Sequence, residues 1–347
     1  MNQKKTALVV CPGRGSYNRP ELGYIKQHKA VDSPFVPQLA GFDVLRAELN
    51  LPTVTALDSA SQFSNAVHVK AENAAALIFS AGLADFAQIN RDTFDIVAVT
   101  GNSMGWYTAL GCAGVWQGPD SMQLVTGMAQ LTASAAGAQF IYPLLTSDWQ
   151  PDLDKHSLLA EQLYLHQGAL FMSIAYGGYA VLAGTQSAVQ QAMKALPPCD
   201  DKFPLLLPGH AAFHSPLMQP AADQALARFS ESLFAAPQLP LVDGRGIVWP
   251  AFVAQPAALK AYTLGQQVYD TFHFSRAVQV AVKEFAPDHI ILLGPGSGLG
   301  GAVAQSLIAI NWQGLTSKQD FSTAQQAAMP YVLSMGMPEQ RQLITKA

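Results

Sequence analysis

The sequence predicts an α/β protein: a parallel-sheet core with a small β-α-β-β-α-β subdomain inserted into it. Three observations carry that prediction. Short apolar, β-branched runs alternate with helical segments along most of the chain, the pattern of strands joined by helical crossovers. Between about residues 137 and 204 the texture changes, with two adjacent strand runs framed by helices. At residues 98–116, AVTGNSMGWYTALGCAGVW, a buried strand ends in a serine set between two glycines just before a helix begins.

The core strands are expected at residues 6–11, 96–100, 203–207, 239–242 and 289–293, where apolar residues run without interruption or nearly so. Helices at 73–89, 104–113 and 220–234 show apolar positions on one face, and Gly114 can stop the second of them. Inside the inserted segment the order is a strand at 139–145, a polar helix at 153–165, strands at 169–174 and 179–184, and an amphipathic helix at 187–196. The strand at 203–207 closes the set. The division that follows is residues 1–136 with 205–310 as the larger body, 137–204 as the small subdomain, and 311–347 as a Gln-, Ser- and Met-rich tail read as mobile. No internal repeat is present.

Bulk properties exclude several classes of function. The chain has 347 residues, net charge −4, 50% hydrophobic and 13% charged residues, with no block of Lys or Arg, so nucleic acid is not an expected partner. Cys11, Cys112 and Cys199 have no C-x-x-C spacing, which points to a reduced compartment without a disulfide framework or zinc site. Residues 1–5 are polar and lead straight into a strand, so no signal peptide is expected. The longest uncharged stretch, 290–317, contains GPGSGLGG, a glycine density that fits a loop and not a membrane helix. The expected location is the cytoplasm.

Ser103 therefore lies on the turn between a strand and a helix. In a strand–G-x-S-x-G–helix unit the glycines permit a tight, close-packed bend that presents the hydroxyl beside the amides opening the helix. A serine hydroxyl needs a general base within hydrogen-bond reach, most often histidine. His28, His68, His156, His166 and His289 lie among charged or polar neighbours and read as surface residues. His210 and His214 differ, because LLLPGHAAFHSPLMQPAADQAL places both after a buried strand and before a helix that prolines help to start. His273, between Phe272 and Phe274, is a third option.

Four stretches, GNSMGWYTALGCAGVW, AAFHSPLMQPAAD, CPGRGSY near the start and ILLGPGSGLGG near the end, occur in the order in which they stand in one family. Over roughly residues 6–305 the chain resembles the malonyl-CoA:acyl carrier protein transacylases and the acyltransferase domains of polyketide synthases. The resemblance implies an α/β-hydrolase-like large subdomain with an inserted ferredoxin-like small one. It implies Ser103 as nucleophile and His214 as base, with the main-chain carbonyl of Gln267 orienting the histidine. The backbone amides of Met104 and Arg14 would form the oxyanion hole, each such donor worth about 2.7–4 kcal/mol. CoA thioesters and the phosphopantetheine thiol of an acidic acyl carrier protein would be substrates, with no metal and no bound cofactor. Membrane insertion is not expected.

The departures from the family fall in the acyl pocket, to which Asn102, Met128, Arg14 and Phe213 are assigned. Malonyl-using members have an arginine that pairs with the malonyl carboxylate where this chain has Met128. Losing the partner of a buried carboxylate costs roughly 3–5 kcal/mol, and methionine offers a flexible apolar wall instead. Asn102 stands in place of a histidine, Trp106 in place of a glutamate and Arg14 in place of a glutamine, and SIAYGGYAVLAG lacks the family's asparagine. Either the pocket takes an uncharged acyl group, which is favoured because the Arg14 backbone is already committed, or Arg14 supplies the missing charge. The bland alternatives are a salt bridge of Arg14 with Glu21 and core packing for Met128.

A non-catalytic scaffold would lack Ser103 or His214, and both are present. An ordinary esterase carries its histidine late in the chain, whereas more than a hundred residues follow His214 here. A proofreading acyl-thioester hydrolase would keep every motif. A dinucleotide fold matches G-x-G-x-x-G at 296–301, but the acidic residue expected about twenty positions on is unconvincing, since Asp320 lies in polar SKQDF.

Overall fold

The computed structural model describes residues 4–30, 32–133 and 135–346; residues 1–3, part of the stretch read for a signal peptide, lie outside it. Among the described residues, ten strands form two sheets. β1 (Lys5–Cys11), β2 (Phe94–Gly101), β7 (Leu241–Val242), β8 (Val248–Trp249), β9 (His289–Leu292) and β10 (Val332–Ser334) make the larger sheet, in the order β10-β9-β1-β2-β7-β8. Every pairing in it is parallel except β7 with β8. Residues 7–11 of β1, the central run ALVVC, are completely buried, as a strand covered on both faces requires. Helices Ala71–Gln88, Gly105–Cys112 and Phe274–Phe285 are among those that supply the cover.

The smaller sheet is antiparallel and holds β3 (Ala138–Pro143), β4 (Leu170–Tyr176), β5 (Tyr179–Gly184) and β6 (Leu205–Leu206), in the order β4-β5-β3-β6. With helices Leu153–Leu165 and Gln186–Ala195 between the strands, this is the β-α-β-β-α-β unit expected from sequence. The helix starts are built in: Asp152 accepts from the Lys155 amide and Thr185 from the Ala188 amide. A second apolar core, separate from the main one, fills this unit with Phe140, Tyr142, Leu159, Leu182 and Val189.

Several expectations need correction. The tail is not a loose appendage: β10 extends the main sheet parallel to β9, and helix Pro338–Ile344 packs behind it. There the buried Arg341 pairs with Asp85 at 2.5 Å, and the Asn90 amide donates to the Ile344 carbonyl at 2.9 Å. The strand expected at 203–207 shrinks to two residues, because Pro204 and Pro208 have no amide to give a ladder. The helix expected at 220–234 is Gln219–Arg228, ending where Phe229 turns extended and buries its ring; a short 3₁₀ turn, Glu231–Leu233, follows. The brief strands β8 and β10 had no apolar run long enough to declare them.

In the glycine-rich segment after β9, Gly294 and Gly296 stand at close approaches, whereas a Cβ on Gly298, Gly300 or Gly301 would meet nothing within 4 Å. The Gly294 amide donates to Asp85 Oδ2 at 2.8 Å, and a Cβ on Gly294 would collide with the Tyr24 hydroxyl. Gly336 presses likewise on the Gly296 carbonyl.

Candidate active site

The turn after β2 is crowded enough to dictate its sequence. Asn102 donates its amide to the Cys11 carbonyl at 3.0 Å, and its own carbonyl accepts from Gly105 at 2.7 Å. Ser103 between them takes φ +54°, a left-handed conformation that costs a non-glycine residue about 1–2 kcal/mol. A Cβ on Gly101 would strike the Gly105 carbonyl, and one on Gly105 would strike that of Cys11. The loop after β1 lies against the same turn, since a Cβ on Gly13 would stand 2.6 Å from the Asn102 carbonyl oxygen. Glycines at 13, 101 and 105 are therefore what brings the two loops together. The backbone amides of Met104 and Arg14, one from each loop, donate to no acceptor among the described residues.

Ser103 Oγ donates to His214 Nε2 at 2.7 Å, and His214 Nδ1 donates to the Gln267 main-chain carbonyl at 2.7 Å. A carbonyl can only accept, so Nδ1 carries the proton and Nε2 is left with the lone pair that faces the serine. The His214 amide is itself tied to the Val268 carbonyl at 3.0 Å. Burial pushes the His214 imidazole down to about 4, partly countered by the Gln267 carbonyl, so the ring is neutral at pH 7.

Gln267 also acts through its side chain, which nothing in the sequence signalled. Its Nε2 donates to the Ser103 carbonyl at 3.1 Å, and its Oε1 accepts from the Tyr107 hydroxyl at 3.4 Å. One residue thus touches both members of the pair. It follows a π-helical turn, Tyr262–Gln266, an element concentrated at functional sites. Trp106, from the helix that Ser103 precedes, donates its indole N–H to Thr263 Oγ1 in that turn at 3.0 Å.

A cavity of roughly 690 Å³ opens onto the pair. Asn102, Met104, Met128, Arg14, Phe213 and Gln267, all nominated from sequence, line it together. Val125, Met128, Ala129, Ala74 and Ala75 give it an apolar wall from two helices. Met128 is 1% exposed, so its packing and pocket roles coincide. Arg14 makes no salt bridge with Glu21, whose carboxylate instead accepts from the Asn18 amide at 2.8 Å. Its guanidinium stands 5.5 Å from the centre of the Phe213 ring, and burial lowers its proton affinity, with Glu72 pulling the other way.

His210 lines the cavity, its Nδ1 bonded to Gln139 Oε1 at 2.8 Å, whereas His273 precedes helix Phe274–Phe285 away from it. A smaller cavity of roughly 330 Å³ borders the other side of His214, beside Met172, Asp270 and Thr271. Two histidines read as surface residues are buried: His68 bonds the Leu57 carbonyl at 3.0 Å and His289 that of Pro330 at 2.9 Å. Both rings are tied to main-chain carbonyls at least eleven residues away in sequence, which the polar residues around them did not foretell. Gln139 was also missed as a site residue, although a glutamine amid the apolar residues of β3 was a usable signal. Among the described residues no cluster of His, Cys, Asp or Glu could hold a metal ion, and no helix is long and apolar enough to cross a membrane.

The chain thus joins a mainly parallel sheet to an inserted β-α-β-β-α-β unit, with a serine on the turn after β2 and a histidine hydrogen-bonded to it. Comparison with known proteins finds the chain similar to malonyl-CoA:acyl carrier protein transacylases and to polyketide synthases. It is 26% identical over 230 residues to the malonyl CoA-acyl carrier protein transacylase of Salmonella typhimurium, covering 65% of this chain and 71% of that protein. It is 27% identical over 312 residues to a phenolphthiocerol synthesis polyketide synthase of Mycobacterium marinum, covering 87% of this chain but 14% of the synthase. The crystal structure of the malonyl-CoA:ACP transacylase of Synechocystis sp. PCC 6803 superposes with a TM-score of 0.73 at 17% identity, covering 98% of this chain and 100% of that one, a likeness of fold. No family model matches the chain.

Proposed function

We propose that the chain transfers an acyl group from acyl-CoA, through an ester on Ser103, to the phosphopantetheine thiol of an acyl carrier protein. The 2.7 Å contact of Ser103 Oγ with a neutral His214 Nε2 carries this reading. In it, His214 takes the hydroxyl proton as Oγ attacks the thioester carbonyl. The oxyanion so formed meets the free amides of Met104 and Arg14. Collapse of the tetrahedral intermediate expels the CoA thiolate, which receives the proton back from His214. The carrier thiol then repeats these steps in reverse, its proton passing to His214 and finally to the serine.

The acyl group is read as uncharged. Malonyl is the group handled by the transacylase relatives, but Met128 lies on an apolar wall that offers a carboxylate no charge, and Arg14, a cation lining the same cavity, has its guanidinium 5.5 Å from the Phe213 ring centre and its backbone amide assigned to the oxyanion. Intact mass of the protein after brief exposure to acetyl-, medium-chain acyl- and malonyl-CoA, repeated after adding a carrier protein, tests both statements. The expected result is an acetyl or medium-chain adduct that moves to the carrier and is absent from Ser103→Ala. Met128→Arg should then raise the ratio of malonyl to acetyl loading at least tenfold, on the scale of one buried ion pair. An adduct surviving in Ser103→Ala removes the central claim. Preferential loading by malonyl removes the claim for an uncharged group, and an adduct lost to water in the presence of carrier makes the enzyme a hydrolase.

A further inference from the structure

We propose that Arg14 and His210 form a paired donor and acceptor subsite that reads an uncharged group carrying both a donor and an acceptor, a secondary amide or a hydroxyl, on the thioester substrate. The proposal rests on the acyl-transfer reading above and adds to it what the polar wall of the cavity recognises.

A chain of hydrogen bonds fixes the tautomer of His210. The Phe213 carbonyl can only accept, and it takes bonds from Ser173 Oγ at 2.8 Å and from Gln139 Nε2 at 3.1 Å. The Ser173 hydroxyl has its hydrogen committed there, so it accepts from Gln139 Nε2 at 2.6 Å. Both bonds place the amide nitrogen of Gln139 on that side and leave Oε1 for His210, 2.8 Å from Nδ1. An amide oxygen cannot donate, so the proton of the ring sits on Nδ1 and Nε2 presents a bare lone pair. Gln139 and Ser173 are buried at 2% and 0% exposure, which keeps water from competing for these bonds.

Nε2 of His210 has no partner among the described residues, and His210 lines the cavity that holds Ser103. Arg14 lines the same cavity. Its guanidinium and the His210 ring both lie near one aromatic ring, their centres 5.5 Å and 5.8 Å from that of Phe213. Burial, the Arg14 charge and His214 all disfavour a second proton on His210, pushing it down to about 3. The wall therefore offers N–H donors beside an acceptor that stays an acceptor at neutral pH. A carboxylate would gain the donors and face the lone pair. An amide or a hydroxyl satisfies both at once.

Two sources of that chemistry exist on an acyl thioester. The pantetheine arm carries secondary amides, and an acyl chain can carry a hydroxyl. Two substrate pairs separate them: the acetyl thioester of N-acetylcysteamine against S-propyl thioacetate, which lacks the amide, and 3-hydroxybutyryl-CoA against butyryl-CoA. The rate of Ser103 acylation is read by intact mass for the full chain and for His210→Phe.

In one pair, His210→Phe should lower kcat/KM about tenfold for the member bearing the polar group, the value of one lost hydrogen bond, and leave the other member within about twofold. His210→Gln, which can return an acceptor to the same place, should restore the ratio. A response confined to the first pair places the reader on the arm, and one confined to the second places it on the acyl chain. If His210→Phe does not fold, Gln139→Leu releases the tautomer and is expected to erode the same ratio. Equal changes in both members of each pair, or none, overturn the subsite while leaving acyl transfer intact. Failure of all four thioesters to label Ser103 in the unaltered chain overturns acyl transfer itself.

Discussion

His214 is a base because of where its two nitrogens point. Nδ1 is spent on the Gln267 carbonyl, and Nε2 faces Ser103 with a ring that burial keeps unprotonated. The sign of the pH dependence follows. A histidine held near 4 instead of its ordinary 6.5 stays competent as pH falls through 6, and it loses its lone pair to a proton only as pH approaches 4. Acylation of Ser103 should therefore be flat from about pH 8 to about pH 5.5 and half-maximal near 4. A midpoint near 6.5 in the pH profile of the acylation rate would show that burial does not tune this ring. Asn102, Met128 and Phe213 line the cavity without touching that proton path, so substitutions there can change the acyl group and spare the chemistry.

At the scale of elements, the site is a meeting of the strand–turn–helix unit around Ser103 with the segment carrying Gln267. Besides the bonds of the Gln267 side chain, they are joined by the bond from Trp106 Nε1 to Thr263 Oγ1, both side chains fully buried. Because that π-helical turn leads directly into Gln267, a shift in it moves the carbonyl that orients His214. Trp106→Phe keeps one aromatic ring, loses the N–H donor with the pyrrole ring, and leaves a buried hydroxyl oxygen unpaired at a cost of about 1–3 kcal/mol on top of the lost packing. The expected outcome is a lower acylation kcat with KM little changed. In a cycle with Thr263→Val the coupling should be about 1 kcal/mol. Additive effects of the two substitutions would reduce the pair to packing.

For the whole molecule, the C-terminal segment closes the fold. Asp85 on helix Ala71–Gln88 accepts from Arg341 Nη2 at 2.5 Å, from the Tyr24 hydroxyl at 2.7 Å and from the Gly294 amide at 2.8 Å. Four distant stretches of chain meet at one carboxylate. Burial raises the proton affinity of Asp85, and Arg341 is first among the groups that oppose it. Arg341→Met should destabilise the protein by about 3–5 kcal/mol, because it strands a buried charge. Urea denaturation checks this: the double variant Asp85→Asn, Arg341→Met should recover part of the loss, and a cost under about 1 kcal/mol for the single variant would show that the tail is not held this way.

The sequence by itself determined the elements whose pattern is local. The unbroken burial of residues 7–11 in β1 and 98–101 in β2 reads as apolar runs, and the crowding of the elbow reads as glycines around Ser103. The β-α-β-β-α-β order reads as alternating periods. The place after a strand and before a proline-started helix narrowed the base to His210 or His214, with His273 a third option, and resemblance alone chose His214 and named Gln267. Tertiary structure alone decided what depends on partners far away in the chain. It buried His68 and His289, drew the tail into the sheet through β10, gave the Gln267 side chain its grip on Ser103, and fixed the tautomer of His210 through Gln139 and Ser173. Local pattern reports which face of an element is apolar. A hydrogen bond between residues 71 or 164 positions apart, as from His210 to Gln139 or from Gln267 to Ser103, leaves no period in the sequence and exists only once the core has packed.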